Sequence, residues 1–302
     1  MTFCRLKKMP DIHNDNRILA EQFIADIKEN RQQGASELGR LAVSRLEEFA
    51  MRAPNRSLEI LQSDLFALAT ALRQARPSMS VIRNLIDQWQ LPLQQNHYDT
   101  TKQLCTAAKL QSDKVIDLSR QATLDVAKHA CSLIQTGHTI MTHSYGSTVS
   151  QIFSQLAGQE VSAIITESQP GCEGARLARE LSALKLPALY ITDAEMGLFV
   201  DKADLVLIGA DTLLADGSVV NKAGTYLLAL AALDRSIPLY VCAESFKQSE
   251  LKESQVELES MAVDEIALTP LPGVQPQNIY FDITPARLIS GWVNEQGIYH
   301  YD

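Results

Sequence analysis

Between Asn14 and about Ile134 the apolar residues recur at the spacing of one helix face: Ile18, Leu19, Phe23, Ile24 and Ile27, then Leu38, Leu41, Ala42, Leu46 and Phe49. This half of the chain is predicted to be helical. Gly34 separates the first two helices, Ser36 is placed to cap the second, and Pro54-Asn55 breaks the chain before a helix over 58–72. Pro77 starts a further short helix. A last helical stretch from about Tyr98 to Ile134, carrying Leu104, Ala108, Val115, Leu118, Leu133 and Ile134, links this half to the next. There is no repeat of fixed period and no low-complexity tract.

After Gly137 the periodicity changes. Short β-rich runs, HTIMTH, VSAIITE, PALYITD, DLVLIGAD and PLYVCAE, mostly alternate with helix-compatible segments such as 173–184 and 222–234. Continuously apolar strands that alternate with helices predict a mainly parallel sheet covered on both faces. The fold class is therefore α/β, with residues 1–135 as an N-terminal helical domain that includes the linking helix and residues 136–302 as the sheet domain.

In such a sheet ligands sit outside the carboxyl ends of the strands, and that is where the polar residues fall. Thr142, His143 and Ser144 end the first run, Glu167 and Ser168 the second, Asp193 the third, Asp211 the fourth, and Glu244 and Ser245 the fifth. A polar residue at a strand end is also an ordinary helix cap; five such ends together predict a polar crevice. Beyond Asp211 and a turn at Asp216-Gly217, the segment Asn221-Lys222-Ala223-Gly224-Thr225 opens an apolar helix with an amide, a cation, a glycine and a hydroxyl. Free N–H groups, the positive dipole end and the Lys222 charge make an anion such as phosphate a natural occupant. The GxxxxGK[ST] pattern of a Walker loop is absent.

Charge and composition narrow the function classes. With 27 Lys and Arg against 36 Asp and Glu, the net charge of -9 disfavours sequence-independent binding of nucleic acid. No apolar stretch approaches the roughly 20 residues of a membrane helix. The basic N-terminus has no apolar run behind it, so neither membrane association nor secretion is expected. Five scattered cysteines, at 4, 105, 131, 172 and 242, fit reduced thiols in a cytoplasm. Cys131 and Cys242 sit in apolar surroundings and read as core. His13, His97, His129, His138 and His300 lack HxH or HExxH spacing, so neither a metal nor another cofactor is expected.

The segments THSYGSTV, TESQPGCEGARLARELSALKLPALYITD, VDKADLVLIGADTLLADGSVVNKAGTYLLALAA, PLYVCAESFK and FDITPARLISGW resemble one superfamily. It joins the regulatory alpha, beta and delta subunits of eukaryotic initiation factor 2B with methylthioribose-1-phosphate isomerase and ribose-1,5-bisphosphate isomerase. The resemblance is close over about 139 to 291 and looser in the helical half. It implies an N-terminal helical domain followed by a Rossmann-like domain, usually dimeric, with a pocket in the crevice between them. Gly34, Ala35 and Arg76 match the first half's contribution to that pocket. Thr142, His143, Glu167, Ser168, Arg176, Asn221 and Lys222 are the candidate ligand-binding residues of the second half.

The resemblance also implies chemistry. In the isomerases a cysteine just after the Thr-His strand end works with the aspartate of the GAD motif to move a sugar carbonyl from C1 to C2. Here the aspartate is Asp211, but Ser144 follows Thr142-His143. A thiol with pKa near about 8.5 exchanges protons at neutral pH, whereas an unassisted serine hydroxyl does not. His143 is not expected to assist, because adjacent strand residues point to opposite faces. The family pattern also has arginine where Gln169 stands and usually glutamine where Glu173 stands, so the local charge is more negative by about two units and a dianion site is weakened. Arg176, one turn on, is placed either to fill the gap or to pair with Glu173. Cys172 is the one thiol of this loop, and without a partner it reads as inert.

Two functions follow as expectations. The first is a homodimeric initiation factor 2B-like protein that binds a small phosphorylated sugar, acting as a sensor with a protein partner or carrying altered chemistry. The second is an aldose-ketose isomerase of a phosphorylated pentose, with Asp211 and Ser144 as the catalytic pair.

Overall fold

The computed structural model describes residues 12–52, 57–266, 268 and 271–300. The expected break at Pro54-Asn55, and Cys4, lie outside them. The chain forms two compact units that divide at Ser119.

The first unit is helical: α1 (Asn14–Lys28), α2 (Ala35–Arg52), α3 (Leu58–Arg73), α4 (Ser80–Gln95) and the first part of α5 (Thr101–Cys131). Phe23, Ile27, Leu38, Leu46 and Phe49 are buried, as their spacing predicts, and Leu65, Ile82 and Leu85 join them. Gly39 lets α2 lie close to α4, since a Cβ there would stand 2.9 Å from Leu85 Cδ1. The Trp89 indole N–H, fully buried, donates to Ser112 Oγ at 2.9 Å and ties α4 to α5. Two expectations need correction. Ser36 is the second residue of α2 rather than its cap, and Glu37 reaches back to accept the Gly34 N–H at 3.0 Å. The helix after Pro77 begins only at Ser80 and runs 16 residues, tolerating Pro92 near its end.

The second unit begins within α5. Its seven-stranded sheet contains β1 (Thr139–Thr142), β2 (Ser162–Thr166), β3 (Ala188–Ile191), β4 (Leu205–Ile208), β7 (Leu239–Cys242), β9 (Gly291–Asn294) and β10 (Gly297–Tyr299), in the order β10-β9-β7-β4-β1-β2-β3. Only β10 runs antiparallel to its neighbour. The five predicted apolar runs are its five successive strands β3-β2-β1-β4-β7. Their side chains alternate between two cores: Ile140, Ala163, Leu205 and Leu207 enter one, and Met141, Ile164, Val206 and Ile208 the other. Strand order reverses about β1, so the switch point lies between the carboxyl ends of β1 and β4. The helices are α6 (Ser147–Gln155), α7 (Gly174–Ala183), the short α8 (Met196–Phe199) and α9 (Thr225–Asp234).

A second sheet was not foreseen. β5 (Thr212–Leu213), β6 (Val219–Lys222) and β8 (Phe281–Thr284) pair antiparallel, with Asn221 opposite Asp282 and Lys222 opposite Phe281. Asn221 and Lys222 thus end a strand, and α9 starts only at Thr225.

Candidate functional site

At the end of β1 the chain carries a buried imidazole into a network of strand-end polar groups. His143 Nε2 lies 2.9 Å from the Ala223 carbonyl, which can only accept, so this nitrogen bears the proton. Nδ1 is then an acceptor, and the Thr166 hydroxyl at 2.6 Å donates to it. Burial pushes the imidazole below its ordinary range, against the opposing pull of the Ala223 carbonyl and the Asp193 carboxylate. His143 is therefore a neutral link between β1, β2 and the turn before α9. Gly224 is required beside it: its φ is +109°, and a Cβ there would stand 2.8 Å from Nε2.

The end of β2 is fixed by the end of β3. Asp193 accepts the backbone N–H groups of Ser168 and Gln169 at 2.8 and 2.7 Å, and the buried Ser168 hydroxyl lies 3.1 Å from that of Thr166. Ser144, Ser168 and Cys172 all take positive φ, at 68°, 64° and 53°. Such conformations in residues other than glycine cost energy and cluster where backbone geometry serves a site. Thr142 is fully buried, and its hydroxyl has no hydrogen-bond partner among the described residues.

Lys222 holds the charge of this region. Its side chain is 6% exposed, and Nζ lies 2.7 Å from Glu173 Oε1 and 4.4 Å from the centre of the Tyr280 ring. Asn221, also buried, donates from Nδ2 to Thr225 Oγ1 at 3.0 Å, and Thr225 donates to the Lys222 carbonyl at 2.6 Å. The start of α9 is covered from far along the chain by a residue of the FDITPARLISGW segment: Asp282 Oδ2 accepts the N–H groups of Gly224 and Tyr226 at 2.7 and 3.0 Å. Burial raises this carboxyl to about 6, although both N–H bonds favour its ionised form.

The remaining predicted residues are placed as follows. Asp211 is half-buried just beyond β4, with its N–H on the Val220 carbonyl at 2.9 Å. Ser144 is buried just beyond β1. Glu167 is half-buried, its N–H on the Ile191 carbonyl. Arg176 lies with its guanidinium 3.7 Å over the Tyr145 ring and its Nε 3.2 Å from Glu180, while Glu173 takes Lys222. In the helical unit Gly34 and Ala35 open α2, and the buried Arg76 reaches the Asn30 carbonyl of the same loop at 3.3 Å. The fifth strand end is taken up structurally. Glu244 accepts from Thr123 at 2.6 Å and Thr148 at 3.1 Å and meets the buried Lys247 at 3.3 Å. Burial pushes its carboxyl up, but Lys247 and these bonds outweigh it, and the net shift is downward. Ser245 is held by Glu295. Among the described residues no cluster suits a metal ion, and no helix is long and apolar enough to cross a membrane.

Helical domain, mainly parallel α/β domain and polar strand ends together define an initiation factor 2B-like architecture. A model of the initiation factor 2 subunit family matches residues 31–300, and the chain belongs to that family. A protein of Pyrococcus furiosus named eIF-2B subunit 2-like is 31% identical over 92% of this chain and 95% of its own length. The ribose 1,5-bisphosphate isomerase of Methanocaldococcus jannaschii is 26% identical over 90% of this chain and 88% of its own. The crystal structure of the Pyrococcus horikoshii translation initiation factor eIF-2B superposes with a TM-score of 0.80 at 32% identity, covering 92% of this chain and 96% of that one.

Proposed function

We propose that this protein binds a small phosphorylated sugar at the carboxyl edge of its parallel sheet and works as a cytoplasmic homodimeric sensor rather than as an efficient isomerase. The observation that carries the reading is Lys222, an almost fully buried ammonium set beside Asn221 and the start of α9. At the end of β6 this ammonium faces one anion among the described residues, the Glu173 carboxylate, and a ligand phosphate, the group that the isomerase relative's name supplies, is a second anion suited to it. Against turnover stands Ser144, which occupies the place of the isomerases' cysteine by resemblance and whose hydroxyl does not trade its proton at neutral pH.

The second reading is an aldose-ketose isomerase that uses Asp211 with Ser144. It is favoured by Asp211 itself, a half-buried carboxylate beyond β4 at the switch point of the sheet. One experiment separates the two. Pentose and hexose phosphates are screened by thermal shift and calorimetry, and each binder is incubated with the protein and analysed for product. Binding without turnover supports the sensor; isomerisation that Asp211→Asn abolishes supports the enzyme. A protein that binds none of them has neither function.

A further inference from the structure

We infer that Glu173 is an internal anion that guards Lys222, so that a ligand phosphate reaches the ammonium only by displacing the Glu173 carboxylate. The inference rests on reading Lys222 as a phosphate-binding group and concerns what sets its selectivity.

Three observations support it. Glu173 Oε1 lies 2.7 Å from Lys222 Nζ, the distance of a charge-assisted hydrogen bond, so the ammonium is already neutralised. The carboxylate is held on one side only, since its Oε2 is buried and has no hydrogen-bond partner among the described residues. The loop is also shaped around it: a Cβ on Gly171 would stand 2.6 Å from Glu173 Oε1 and 2.8 Å from its Cδ. A carboxylate with one strong partner and one idle oxygen is easier to displace than one satisfied on both sides. Its own helix does not draw it away, because Arg176 is engaged by Glu180 and Tyr145.

The consequence is selectivity by charge. A neutral sugar leaves the pair intact, whereas an anion must break it before gaining the same ammonium. Removing the Glu173 charge should therefore favour anions alone. Glu173→Gln should tighten binding of inorganic phosphate and ribose 5-phosphate about ten-fold in calorimetry while leaving ribose unchanged.

That variant leaves a buried lysine without its counter-charge, so Gly171→Ala is the companion. It changes no charge, but its methyl group occupies the carboxylate's place and pushes a flexible side chain off Lys222. It should shift affinity in the same direction. If ribose 5-phosphate binds wild type and both variants equally, Glu173 guards nothing while the reading of Lys222 stands. If Glu173→Gln loses the ligand, Glu173 is itself a ligand contact and the inference is wrong. If none of the three proteins binds phosphate or ribose 5-phosphate, the guard and the phosphate site fall together.

Discussion

Ser144 and Gln169 are the two side chains by which this site departs most from the isomerases it resembles, and they belong to different parts of the reaction. Ser144 stands just beyond β1, in the place that the resemblance gives to the isomerases' proton-exchanging cysteine. Gln169 lies in the loop beyond β2 and lacks the guanidinium that would hold a phosphate in bidentate fashion. One change restores chemistry and the other strengthens phosphate binding. Ser144→Cys with Gln169→Arg should therefore raise turnover on ribose-1,5-bisphosphate or methylthioribose-1-phosphate more than either single change, and steady-state assays on the four proteins check it. Wild-type turnover at the rate of an ordinary enzyme would show that the thiol is dispensable. Asp282 makes a second prediction at this scale. Its carboxyl is raised to about 6 in the folded chain, against about 3.9 when unfolded. Between those values the folded state binds more protons than the unfolded one, so this group's contribution to stability falls as pH rises through the window. The difference in unfolding free energy between wild type and Asp282→Asn should decrease from pH 4 to pH 6.5; a flat difference would mean that folding does not raise the Asp282 carboxyl.

The elements owe their positions to close approaches that single residues permit. The start of α7 lies against the end of β2 so tightly that a Cβ on Gly174 would stand 1.8 Å from the Thr166 carbonyl oxygen. The oxygen is backbone and a Cβ is held rigidly by its own backbone, so Gly174→Ala must move a helix or a strand and should cost about 1–3 kcal/mol or more, read as a lower denaturant midpoint with unchanged slope. Because Thr166 donates to His143, the same variant should loosen the network at the end of β1. At the element scale the chain's pattern was legible where periodicity was strong. The five apolar runs are strands, and the helical spacing of the first half gives helices that bury Phe23, Leu46 and Phe49. What escaped was the small sheet β5-β6-β8. β5 is two residues long, β6 ends on an amide and a cation that read equally well as the opening of a helix, and β8 pairs with it from far along the chain. The same separation hid the partners that define the site. Glu173 on Lys222 and Asp282 on the start of α9 are contacts of the folded chain that no local spacing announces.

For the whole molecule, the aromatic residues of 280–292 leave no apolar face uncovered: Tyr280, Phe281 and Trp292 are buried within their own unit, and Trp292 stacks on Tyr299. The exposed apolar face lies on α9 instead. That helix reads TYLLALAALD and is apolar nearly all round, a composition that fits a helix covered on both sides. One side, with Leu228, Ala229 and Ala232, enters the core of the sheet domain. The opposite side shows Leu227 at 64% exposure and Leu233 at 58%, with Leu230 between them, and Leu198 of α8 is exposed as well. Leucines grouped on one helix face in this way are unusual on a lone monomer. A two-fold axis across α9 would cover each copy with the same residues of the other, as an isologous interface requires. Sedimentation at micromolar concentration should therefore give a dimer. Leu227→Asp with Leu233→Asp should give a monomer whose circular dichroism matches wild type, because neither side chain supports the core. A dimer that survives the double change would place the interface on another face, and a wild-type monomer would overturn the homodimer.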